Sequence, residues 1–481
     1  MRCYYLLLLL GLAACASSPP DPELQAEAEA LGWLAPGAPL TEALAQGPAE
    51  HPGLFNRLLA ASLPACLAGQ DCQLKVQCQG PCLGYNLAPQ GRQQSGCLGA
   101  LGYRFRPRDA STEPFYPVEG VFEPVTWLPV GEGAERYFQA YLPLSQPLPQ
   151  GACKDLGLGY EALLGAAYID NFEMAGFFAA DKEQHFGIFQ IQPLDLDKDI
   201  VLMIHGLNSS PLIWRELTLG ILHDPVLRER VQVWHLYYET GGPPFYNAAR
   251  IRRQLETRLA PFHQAGRQPQ LALVGHSMGG IIAKLLASDP KEALWDTAFT
   301  QSYPQVRQRL GSKVDEARQI LAFSPVSGVD KVFFLDTPHR GAPVSRSWLA
   351  RLAAFFVTLP KKLFSAFSFT EQEQDLVRPE MRPYLQQGRP SSVEVLRADH
   401  PLLGRLAALP LAKGIAGWSV IGNQVAGCEE ARDGCAFDGV VTYQSAHQDG
   451  LPELVVPSDH NAYRAPQAVA LILEVLRRDY R

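Results

Sequence analysis

Apolar runs alternate with helical patterns through the second half of the chain, and this alternation is the strongest constraint on its fold. Residues 200–204 read Ile-Val-Leu-Met-Ile, and further strand patterns occur at 231–237, 271–274 and 331–335. A strand that is apolar on both faces is typical of a sheet covered by helices on both sides. Helical patterns such as that at 248–259 separate these strands. The alternation therefore predicts an α/β fold with a mainly parallel sheet and helices on both faces.

Composition supports a folded globular chain and excludes several classes of function. The 481 residues are 47% apolar and 19% charged, which is enough apolar material for a sizeable core and too little charge for a disordered chain. The net charge of −7 and the lack of a dense basic run argue against nucleic acid as a partner. The length predicts roughly two to four domains, or one large domain with attachments.

The first residues are typical of an export signal. Arg2 precedes a short apolar stretch, and Leu-Ala-Ala-Cys at 12–15 is similar to the site at which bacterial lipoproteins are processed. We interpret residues 1–15 as a lipoprotein signal with Cys15 as the lipid-carrying residue; an ordinary signal cleaved near Ser17 is the alternative. The absence of Asp after Cys15 predicts sorting to the outer membrane, on a side that the sequence leaves open. The expected location is the bacterial cell envelope, with the membrane as partner through the anchor.

Export to an oxidising compartment permits disulfide bonds, and the cysteine count fits them. Ten cysteines become eight once Cys3 is removed with the signal and Cys15 is assigned to lipid. Cys428 and Cys435 bracket a short acidic loop and form an easy local pair. The others allow three bridges of undetermined connectivity and are Cys66, Cys72, Cys78, Cys82, Cys97 and Cys153. A zinc site on Cys78 and Cys82 is the alternative, but no histidine lies nearby in the sequence, so disulfides are favoured.

These features divide the chain into three parts. Residues 1–15 are the signal, residues 16–112 form a Cys-rich N-terminal region, and residues 113–481 form one large α/β domain. Half-buried strands are predicted early in the last part, where apolar and polar residues alternate at 121–127, 136–141 and 185–191.

A Gly-x-Ser-x-Gly motif at 275–279 lies between an apolar strand and a helical pattern. The glycines permit a sharp strand-to-helix turn that holds the serine hydroxyl above the sheet, as in a nucleophile elbow. Ser277 is therefore the candidate nucleophile. The alternative, a glycine-rich turn with an incidental serine, is disfavoured because both flanking elements are present. The backbone N–H of Met278 then becomes one half of the predicted oxyanion hole.

The loop after the strand at 200–204 supplies the other half of that site. It reads His-Gly-Leu-Asn-Ser-Ser from His205, and the backbone N–H of Leu207 is the second predicted oxyanion donor. His205 stands next to a glycine, which suits a structural role in the loop better than the role of catalytic base.

Four segments together resemble the α/β-hydrolase superfamily. They are 205–214, 275–280, 337–341 and the Tyr-Glu-Thr-Gly-Gly run at 238–242. More narrowly, the chain resembles bacterial lipase-like serine hydrolases and the inositol deacylases that act on GPI anchors. The resemblance covers roughly residues 185–481 and implies an α/β-hydrolase fold. The N-terminal region resembles no family.

The superfamily orders its catalytic residues as serine, acid and histidine, so the resemblance places the last two after late strands. The strand pattern at 418–422 is followed by an Asp-Gly-Val-Val run, which implies Asp438 as the acid. The strand pattern at 454–456 is followed by His460, which is implied as the general base.

Other residues remain alternatives for these two roles. Asp336 also follows a strand and is the best alternative acid, whereas Asp433 is better interpreted as a solvated charge. His447 lies in the same long loop as Asp438, and His339 would break the chain order because it precedes that aspartate. No cluster of histidines or carboxylates predicts a metal site.

Residues 343–412 form an insertion between two of the predicted strands. Apolar side chains fall on one face of a helical pattern from Trp348 to Leu359, and further aromatic residues follow up to Phe369. The segment is either a core-facing amphipathic helix or a cap whose apolar face lines an acyl pocket and meets lipid.

These features predict a serine ester hydrolase, lipase-like or carboxylesterase-like, that cleaves hydrophobic esters or lipids through an acyl-enzyme and needs no cofactor. Acyl transfer or amide cleavage by the same triad is the alternative among enzymes. A lipid-anchored binding or scaffold protein is the alternative outside them, and the complete set of Ser, Asp and His argues against it. The natural substrate, its acyl chain length and the oligomeric state stay open.

Overall fold

The computed structural model describes residues 22–44, 51–68, 74–131, 135–166, 186–342, 369–386, 392–428 and 435–480. The chain divides into two compact units. The N-terminal unit comprises residues 1–167 and 191–193, and the C-terminal unit comprises residues 168–190 and 194–481. The predicted lipid-carrying Cys15 lies outside the described residues. No helix in the described ranges is long and apolar enough to cross a membrane.

The N-terminal unit contains short helices and one sheet. Its helices are α1 (Pro22–Ala30), α2 (Leu40–Ala43), α3 (Pro52–Leu67) and α4 (Gly157–Ala166). Its strands are β1 (Val76–Gln77), β2 (Tyr85–Leu87), β3 (Ala100–Arg106), β4 (Val121–Val130) and β5 (Tyr137–Tyr141). They form a five-stranded sheet in the order β1-β5-β4-β3-β2, in which β1 and β5 are parallel and the other neighbours are antiparallel.

Helices cover both faces of this sheet. On one face, Trp127 of β4 and Phe138 of β5 join a core with Phe55 of α3. On the other face, Leu101 of β3 packs with Leu158 of α4. Successive strand residues point to opposite faces, so β3 contributes to both cores.

Disulfide bonds occur in both units, as expected of a protein in an oxidising compartment. The bonded pairs among the described residues are Cys78–Cys82, Cys97–Cys153 and, in the C-terminal unit, Cys428–Cys435. Cys66 is also disulfide-bonded, and Cys72 lies outside the described residues. The sulfur atoms of Cys78 and Cys82 are bonded to each other, so the zinc alternative for this pair does not apply. The predicted local pair of Cys428 and Cys435 is confirmed.

The division between the units lies later in the chain than the predicted boundary at residue 112. β4 and β5 follow residue 112. However, β4 pairs with β3 and β5 pairs with β1, and both of these partners precede residue 112. A division near residue 167 keeps the five-stranded sheet whole. The alternation of apolar and polar residues predicts the strands themselves but not their partners, because strand pairing is a tertiary contact.

The C-terminal unit contains a seven-stranded sheet. Its strands are β6 (Gly187–Gln190), β7 (Asp199–Ile204), β8 (Val231–Tyr237), β9 (Leu271–His276), β10 (Val329–Leu335), β11 (Ala416–Gly422) and β12 (Glu453–Val456). Their order is β12-β11-β10-β9-β7-β8-β6. All neighbours are parallel except β6, which is antiparallel to β8. The predicted α/β-hydrolase fold with a mainly parallel sheet is confirmed.

Helices fill the connections between these strands. The first group is α5 (Arg215–His223), α6 (Leu227–Arg230), α7 (Pro244–Gln264), α8 (Met278–Ala287), α9 (Ala293–Ala298), α10 (Tyr303–Leu310) and α11 (Asp315–Leu321). The second group is α12 (Arg382–Gln386), α13 (Ser392–Val395), α14 (Pro401–Ala407), α15 (Tyr443–Ala446) and α16 (Pro466–Asp479). Proline opens α7, α14 and α16, where its fixed φ suits the first turn and its missing N–H costs no helical hydrogen bond.

The centre of the seven-stranded sheet is buried on both faces. Every residue of β8 and of β9 is buried, and so is every residue of β7 after the first. This burial explains why these strands read as nearly continuous apolar runs. Because neighbouring strands are parallel, the carboxyl ends of β7, β9, β10, β11 and β12 meet at one edge of the sheet. Ligand sites of such sheets lie at that edge.

The insertion between β10 and β11 is described in part. Residues 369–386 and 392–412 form turns and the short helices α12, α13 and α14. The ring of Phe369 lies 5.9 Å from that of Phe299 in an edge-on arrangement. The amphipathic pattern from Trp348 to Leu359 lies outside the described residues.

Candidate active site

Ser277 occupies a sharp turn between β9 and α8. Its φ is +53° and its ψ is −124°, a combination that residues with a side chain rarely adopt. Its backbone N–H donates to the carbonyl of Leu335 at 2.8 Å, and its carbonyl accepts the N–H of Gly280 at 2.9 Å. A strained serine at a strand-to-helix turn is the geometry of a nucleophile elbow.

Glycines permit this turn because neighbouring backbone comes too close for a side chain. A Cβ on Gly279 would lie 2.2 Å from the carbonyl oxygen of Ile204, which shows how tightly α8 meets the end of β7. A Cβ on Gly206 would lie 2.9 Å from the Cβ of Ser277. The motif therefore brings the loop after β7 directly against the serine.

The side chains of Ser277, His460 and Asp438 form a continuous chain of hydrogen bonds. His460 Nε2 lies 2.9 Å from Ser277 Oγ, and His460 Nδ1 lies 2.7 Å from Asp438 Oδ2. A carboxylate can only accept, so Nδ1 carries the ring proton and Nε2 is left to accept from the serine hydroxyl. In this tautomer the imidazole can take a proton from serine.

A tight turn fixes the orientation of Asp438. Its Oδ1 accepts the backbone N–H groups of Val440 at 2.7 Å and Val441 at 2.6 Å. Gly439, between Asp438 and Val440, has a φ of +94°, which a residue without a Cβ adopts at no steric cost. The turn engages Oδ1 and leaves Oδ2 for His460. The Asp-Gly-Val-Val run is therefore the turn that orients the carboxylate.

Opposing influences act on the pKa of His460. Burial lowers this pKa, whereas the hydrogen bond and charge of Asp438 and the charge of Asp336 raise it, and the net shift is upward. A raised pKa makes the imidazole a stronger base for the serine proton. The ring must be neutral to accept that proton, so base catalysis is lost as the pH falls through the raised pKa.

The two predicted oxyanion donors belong to the segments that flank Ser277. Met278 is the first residue of α8, and Leu207 follows Gly206 in the loop after β7. A Cβ on Gly206 would meet the Cβ of Ser277, so Leu207 follows directly after a backbone unit that packs closely beside the serine.

Two side chains that follow β8 hold the loop after β7. The hydroxyl of Tyr238 donates to the carbonyl of His205 at 2.7 Å. The hydroxyl oxygen of Thr240 accepts the N–H of Asn208 at 3.2 Å, and Asn208 has a φ of +51°. These bonds fix the backbone on both sides of Leu207. They also explain why the Tyr-Glu-Thr-Gly-Gly segment accompanies the other motifs.

His205 has the surroundings of a structural residue. It is buried, and its ring stacks on that of Tyr238 at 4.6 Å between centroids. Burial lowers the pKa of His205 to about 4, so the ring is neutral near pH 7. Its Nδ1 lies 3.0 Å from the carbonyl oxygen of Gly206, which helps to shape the loop.

The other candidate residues have different surroundings. His447 binds the carboxylate of Glu453 through Nδ1 at 2.6 Å and that of Asp449 through Nε2 at 3.0 Å. His339 is buried edge-on against the ring of Phe334 at 4.7 Å. Asp433 lies outside the described residues.

Asp336, the best alternative acid, lies at the same edge of the sheet but binds backbone groups. Its Oδ1 accepts the N–H of Gly422 at 2.7 Å, and its Oδ2 accepts the N–H of Ala462 at 2.8 Å. Of the two candidate carboxylates, only Asp438 is hydrogen-bonded to the imidazole of His460 among the described contacts.

Sequence reasoning missed His276, which occupies a variable position of the Gly-x-Ser-x-Gly motif. Its Nε2 lies 3.1 Å from the carbonyl oxygen of His460, and its ring lies 4.8 Å from that of Tyr463. The residues are 184 positions apart, so no spacing signal links His276 to the loop of His460. Burial lowers the pKa of His276 well below its usual value, so its ring stays neutral.

Among the described residues, one group brings several metal-ligating atom types together. The side chains of His276, Asp336 and His460 offer nitrogen and oxygen atoms within 4.8 Å of one another. Both ring nitrogens of His460 and both carboxyl oxygens of Asp336 already have partners within the protein. The group is therefore a hydrogen-bonded network around the histidine loop.

Comparison with known proteins places the chain in a family. The sequence pattern of the alpha/beta hydrolase family matches residues 201–470, which is more than half of the chain. None of the curated proteins compared with the chain matches it. Similar solved structures include the mature lipase BlEst2 from Bacillus licheniformis, at 17% identity over 60% of this chain and 97% of that chain, with a TM-score of 0.33. They also include phospholipase PlaB from Legionella pneumophila, at 14% identity over 59% of this chain and 61% of that chain, with a TM-score of 0.34.

A third similar structure is a lipase-esterase related protein from Clostridium acetobutylicum, at 12% identity over 62% of this chain and 99% of that chain, with a TM-score of 0.29. The family match begins within β7, at Val201, and covers β8 to β12 and the loops that carry Ser277, Asp438 and His460. On this match, the chain belongs to the alpha/beta hydrolase family.

Proposed function

We propose that the protein is a serine ester hydrolase that cleaves hydrophobic carboxylic esters through an acyl-enzyme. Ser277 is the nucleophile, His460 is the general base and then the general acid, and Asp438 orients the imidazole. The observation that carries the proposal is the hydrogen-bond chain that runs from Ser277 through His460 to Asp438. The three residues follow three different strands, and their convergence at one edge of the sheet is the arrangement that nucleophilic catalysis requires.

Acylation begins when Ser277 Oγ attacks the ester carbonyl carbon. The hydroxyl proton passes to His460 Nε2, and the imidazolium that forms is stabilised by Asp438. The carbonyl oxygen becomes an oxyanion and accepts hydrogen bonds from the backbone N–H groups of Leu207 and Met278. Collapse of this intermediate breaks the bond to the leaving alcohol, which takes the proton from Nε2. An acyl group then remains on Ser277.

Deacylation repeats the sequence with water. His460 Nε2 takes a proton from the water molecule whose oxygen attacks the acyl carbon, and the same two N–H groups bind the oxyanion. When the intermediate collapses, Ser277 Oγ leaves and regains a proton from Nε2, and the carboxylic acid is released.

Hydrophobic esters fit the surroundings of the serine. Ser277 is only 8% exposed and Asp438 only 3%, so the reacting atoms lie in a largely water-excluded place. The sequence of the insertion is rich in aromatic residues, the side-chain type that commonly lines pockets for apolar ligands. A series of p-nitrophenyl esters of increasing chain length measures this preference, with rising kcat/KM toward longer chains expected. A flat or falling series would contradict a preference for hydrophobic acyl groups.

Labelling by a fluorophosphonate probe tests the catalytic proposal. Wild-type protein is expected to react covalently with the probe, and Ser277→Ala is expected to lose both labelling and ester hydrolysis. Ser288→Ala is a matched control, because Ser288 is also buried and follows the same helix, α8. This control should label like the wild type. An unlabelled wild type, or a labelled Ser277→Ala, would sink the proposal.

The proposed location is the outer membrane, with the protein anchored by lipid on Cys15. The motif at 12–15 supports the proposal, and more than one acyl chain gives stable anchoring. Expression in a bacterial host with a radiolabelled fatty acid should label the wild type and not Cys15→Ala. Labelling that survives Cys15→Ala would contradict this anchor without touching the catalytic proposal.

A further inference from the structure

Asp336 is a fully buried carboxyl group at the carboxyl end of β10, between the serine and the histidine segments. Two backbone N–H groups bind its carboxyl oxygens, one from Gly422 at the end of β11 and one from Ala462. Ala462 lies two residues after His460. The backbone N–H of Asp336 itself donates to Val420 of β11 at 2.9 Å. One side chain thus joins the end of β11 to the loop that carries His460.

A second contact holds the same loop from the serine side. The Nε2 of His276 lies 3.1 Å from the carbonyl oxygen of His460. A carbonyl oxygen only accepts, so Nε2 carries the proton of this neutral ring and donates it. The same nitrogen lies 4.0 Å from Oδ2 of Asp336. Asp336 and His276 therefore hold the backbone of this loop at two points, at Ala462 and at His460 itself.

The packing at the end of β11 leaves little freedom for this loop. A Cβ on Gly422 would lie 2.8 Å from the carbonyl oxygen of Asp459 and 3.0 Å from Oδ1 of Asp336. The loop before His460 is thus pressed against β11, and the carboxyl group fills the space next to it. The bonds of Asp336 and the close contact at Gly422 fix the loop together.

The backbone of Asp336 is also in an uncommon conformation. Its φ is +48°, in the left-handed region that disfavours residues other than glycine. Only the described residues Asn208, Ser277 and Lys291 share this feature without being glycine. A glycine would adopt this φ without strain. The hydrogen bonds that the carboxylate accepts offset the conformational cost of an aspartate at this position.

We propose that Asp336 is a positioning residue for the reaction, which holds the loop of His460 so that the imidazole stays between Ser277 and Asp438. This proposal rests on the proposed function. Asp336 does not act as the triad acid, because Asp438 already occupies Nδ1 of the ring. Its two oxygens serve the loop. Burial raises the pKa of Asp336 to about 7, and the ionised form of this carboxylate favours the protonated imidazole that forms during each proton transfer.

Asp336→Asn in the full-length protein tests the proposal. The amide keeps the shape and one acceptor, but its NH₂ group faces a backbone N–H and its charge is gone. We expect kcat for p-nitrophenyl butyrate to fall about 10- to 100-fold, because small displacements of reacting groups carry losses of this size. KM should stay within about twofold. Rates are expressed per active site, counted by the amount of fluorophosphonate bound at completion.

The pH profile separates positioning from a merely structural role. The imidazole of His460 is faced by Asp438, Asp336 and Asp459 and by the neutral ring of His276, and removal of one negative charge weakens its hold on a proton. The acid limb of kcat/KM should therefore move to lower pH in Asp336→Asn. A residue that only supports folding would lower the count of active sites and leave this limb in place.

Two further variants complete the experiment. Asp336→Gly suits the positive φ, so it removes the carboxylate without adding backbone strain, and it should show the same loss of kcat. Asp224→Asn is the matched control, because Asp224 is a buried carboxylate that binds the N–H groups of Val226 and Leu227 away from the histidine loop. It should leave the acid limb unchanged.

Each result separates this inference from the function on which it rests. If wild-type protein does not bind the probe, the proposed function fails. If wild type binds it and Asp336→Asn has wild-type kcat and an unmoved acid limb per active site, only the role of Asp336 is overturned. Failure of both Asp336 variants to yield any labelled protein would assign this residue to folding alone and would also overturn the proposal.

Discussion

The N-terminal and C-terminal units each contain a β-sheet between helices, but the two sheets are stabilised in different ways. The N-terminal sheet has five strands, mostly antiparallel, and disulfide bonds link its loops. In the C-terminal unit, β8 and β9 are buried along their whole length. Its described disulfide, Cys428–Cys435, closes a short loop that follows β11.

This difference follows from the size of each core. A small unit buries a smaller fraction of its surface, so covalent links contribute more of its stability. A larger unit with helices on both faces of its sheet gains enough from apolar burial alone. The difference also separates stability from chemistry, because Ser277, Asp438 and His460 all belong to the C-terminal unit. Cross-links can therefore be removed from one unit and catalytic groups from the other.

The largest expected effect is on catalysis in the C-terminal unit. Asp438→Asn should lower kcat about 10⁴-fold, because the amide can donate to His460 Nδ1 and so favours the wrong tautomer. Steady-state hydrolysis of p-nitrophenyl butyrate measures this loss. Asp449→Asn is the control, since this aspartate is 87% exposed and binds His447, and its kcat should stay near that of the wild type. Comparable losses in both variants would contradict the assignment of the acid.

The pH dependence of the wild type sharpens the same assignment. Because the net shift raises the pKa of His460, the acid limb of kcat/KM should lie above about 6.5, the usual histidine value. Activity should be present above this pKa and fall tenfold per pH unit below it, since the protonated ring cannot accept the serine proton. A profile of kcat/KM between pH 4 and 9 measures the limb. An acid limb near pH 4 would argue against a raised pKa of His460.

The next effect concerns the cross-links of the N-terminal unit. The Cys97→Ser/Cys153→Ser double variant opens a link between residues 56 positions apart. The chain-entropy relation gives about 4 kcal/mol of lost stability for a loop of this length. Scanning calorimetry of the oxidised protein should show a lower transition for the N-terminal unit, with kcat unchanged. The matched Cys428→Ser/Cys435→Ser variant opens a separation of only 7 and should cost less.

The smallest expected effect concerns packing in the C-terminal unit. Leu273 lies at the middle of β9 and is fully buried. Leu273→Ala should lower the free energy of unfolding by about 3 kcal/mol, from lost burial and the cavity that remains. Calorimetry should show the shift in the transition that also removes ester hydrolysis. If Leu273→Ala and the Cys97/Cys153 variant lowered one common transition, the two units would unfold together and the contrast between them would be wrong.

Much of the fold could be predicted because local patterns specify it. The predicted strand at 231–237 has the observed bounds of β8, and the strand at 271–274 extends only to His276. Proline at 466 begins α16, a position that suits its fixed φ. These elements could be predicted because a short stretch of sequence contains both the pattern of buried side chains and the residues that begin or end each element. The observed boundary of the N-terminal unit, near residue 167, could not be predicted in the same way, because it depends on which sheet β4 and β5 join.

The sequence by itself determined the elements of the site: a serine between glycines after an apolar strand, an Asp-Gly turn, and a histidine after the last strand. Only the tertiary structure decided between the two carboxylates at neighbouring strand ends. Asp438 lies against the ring of His460, whereas Asp336 binds the backbone of the loop that carries it. Both follow strands of one sheet and come after Ser277 and before His460, so chain order alone allows either carboxylate. A difference of a few tenths of an ångström in distance decides whether a hydrogen bond forms, and these distances are fixed only when the loops pack.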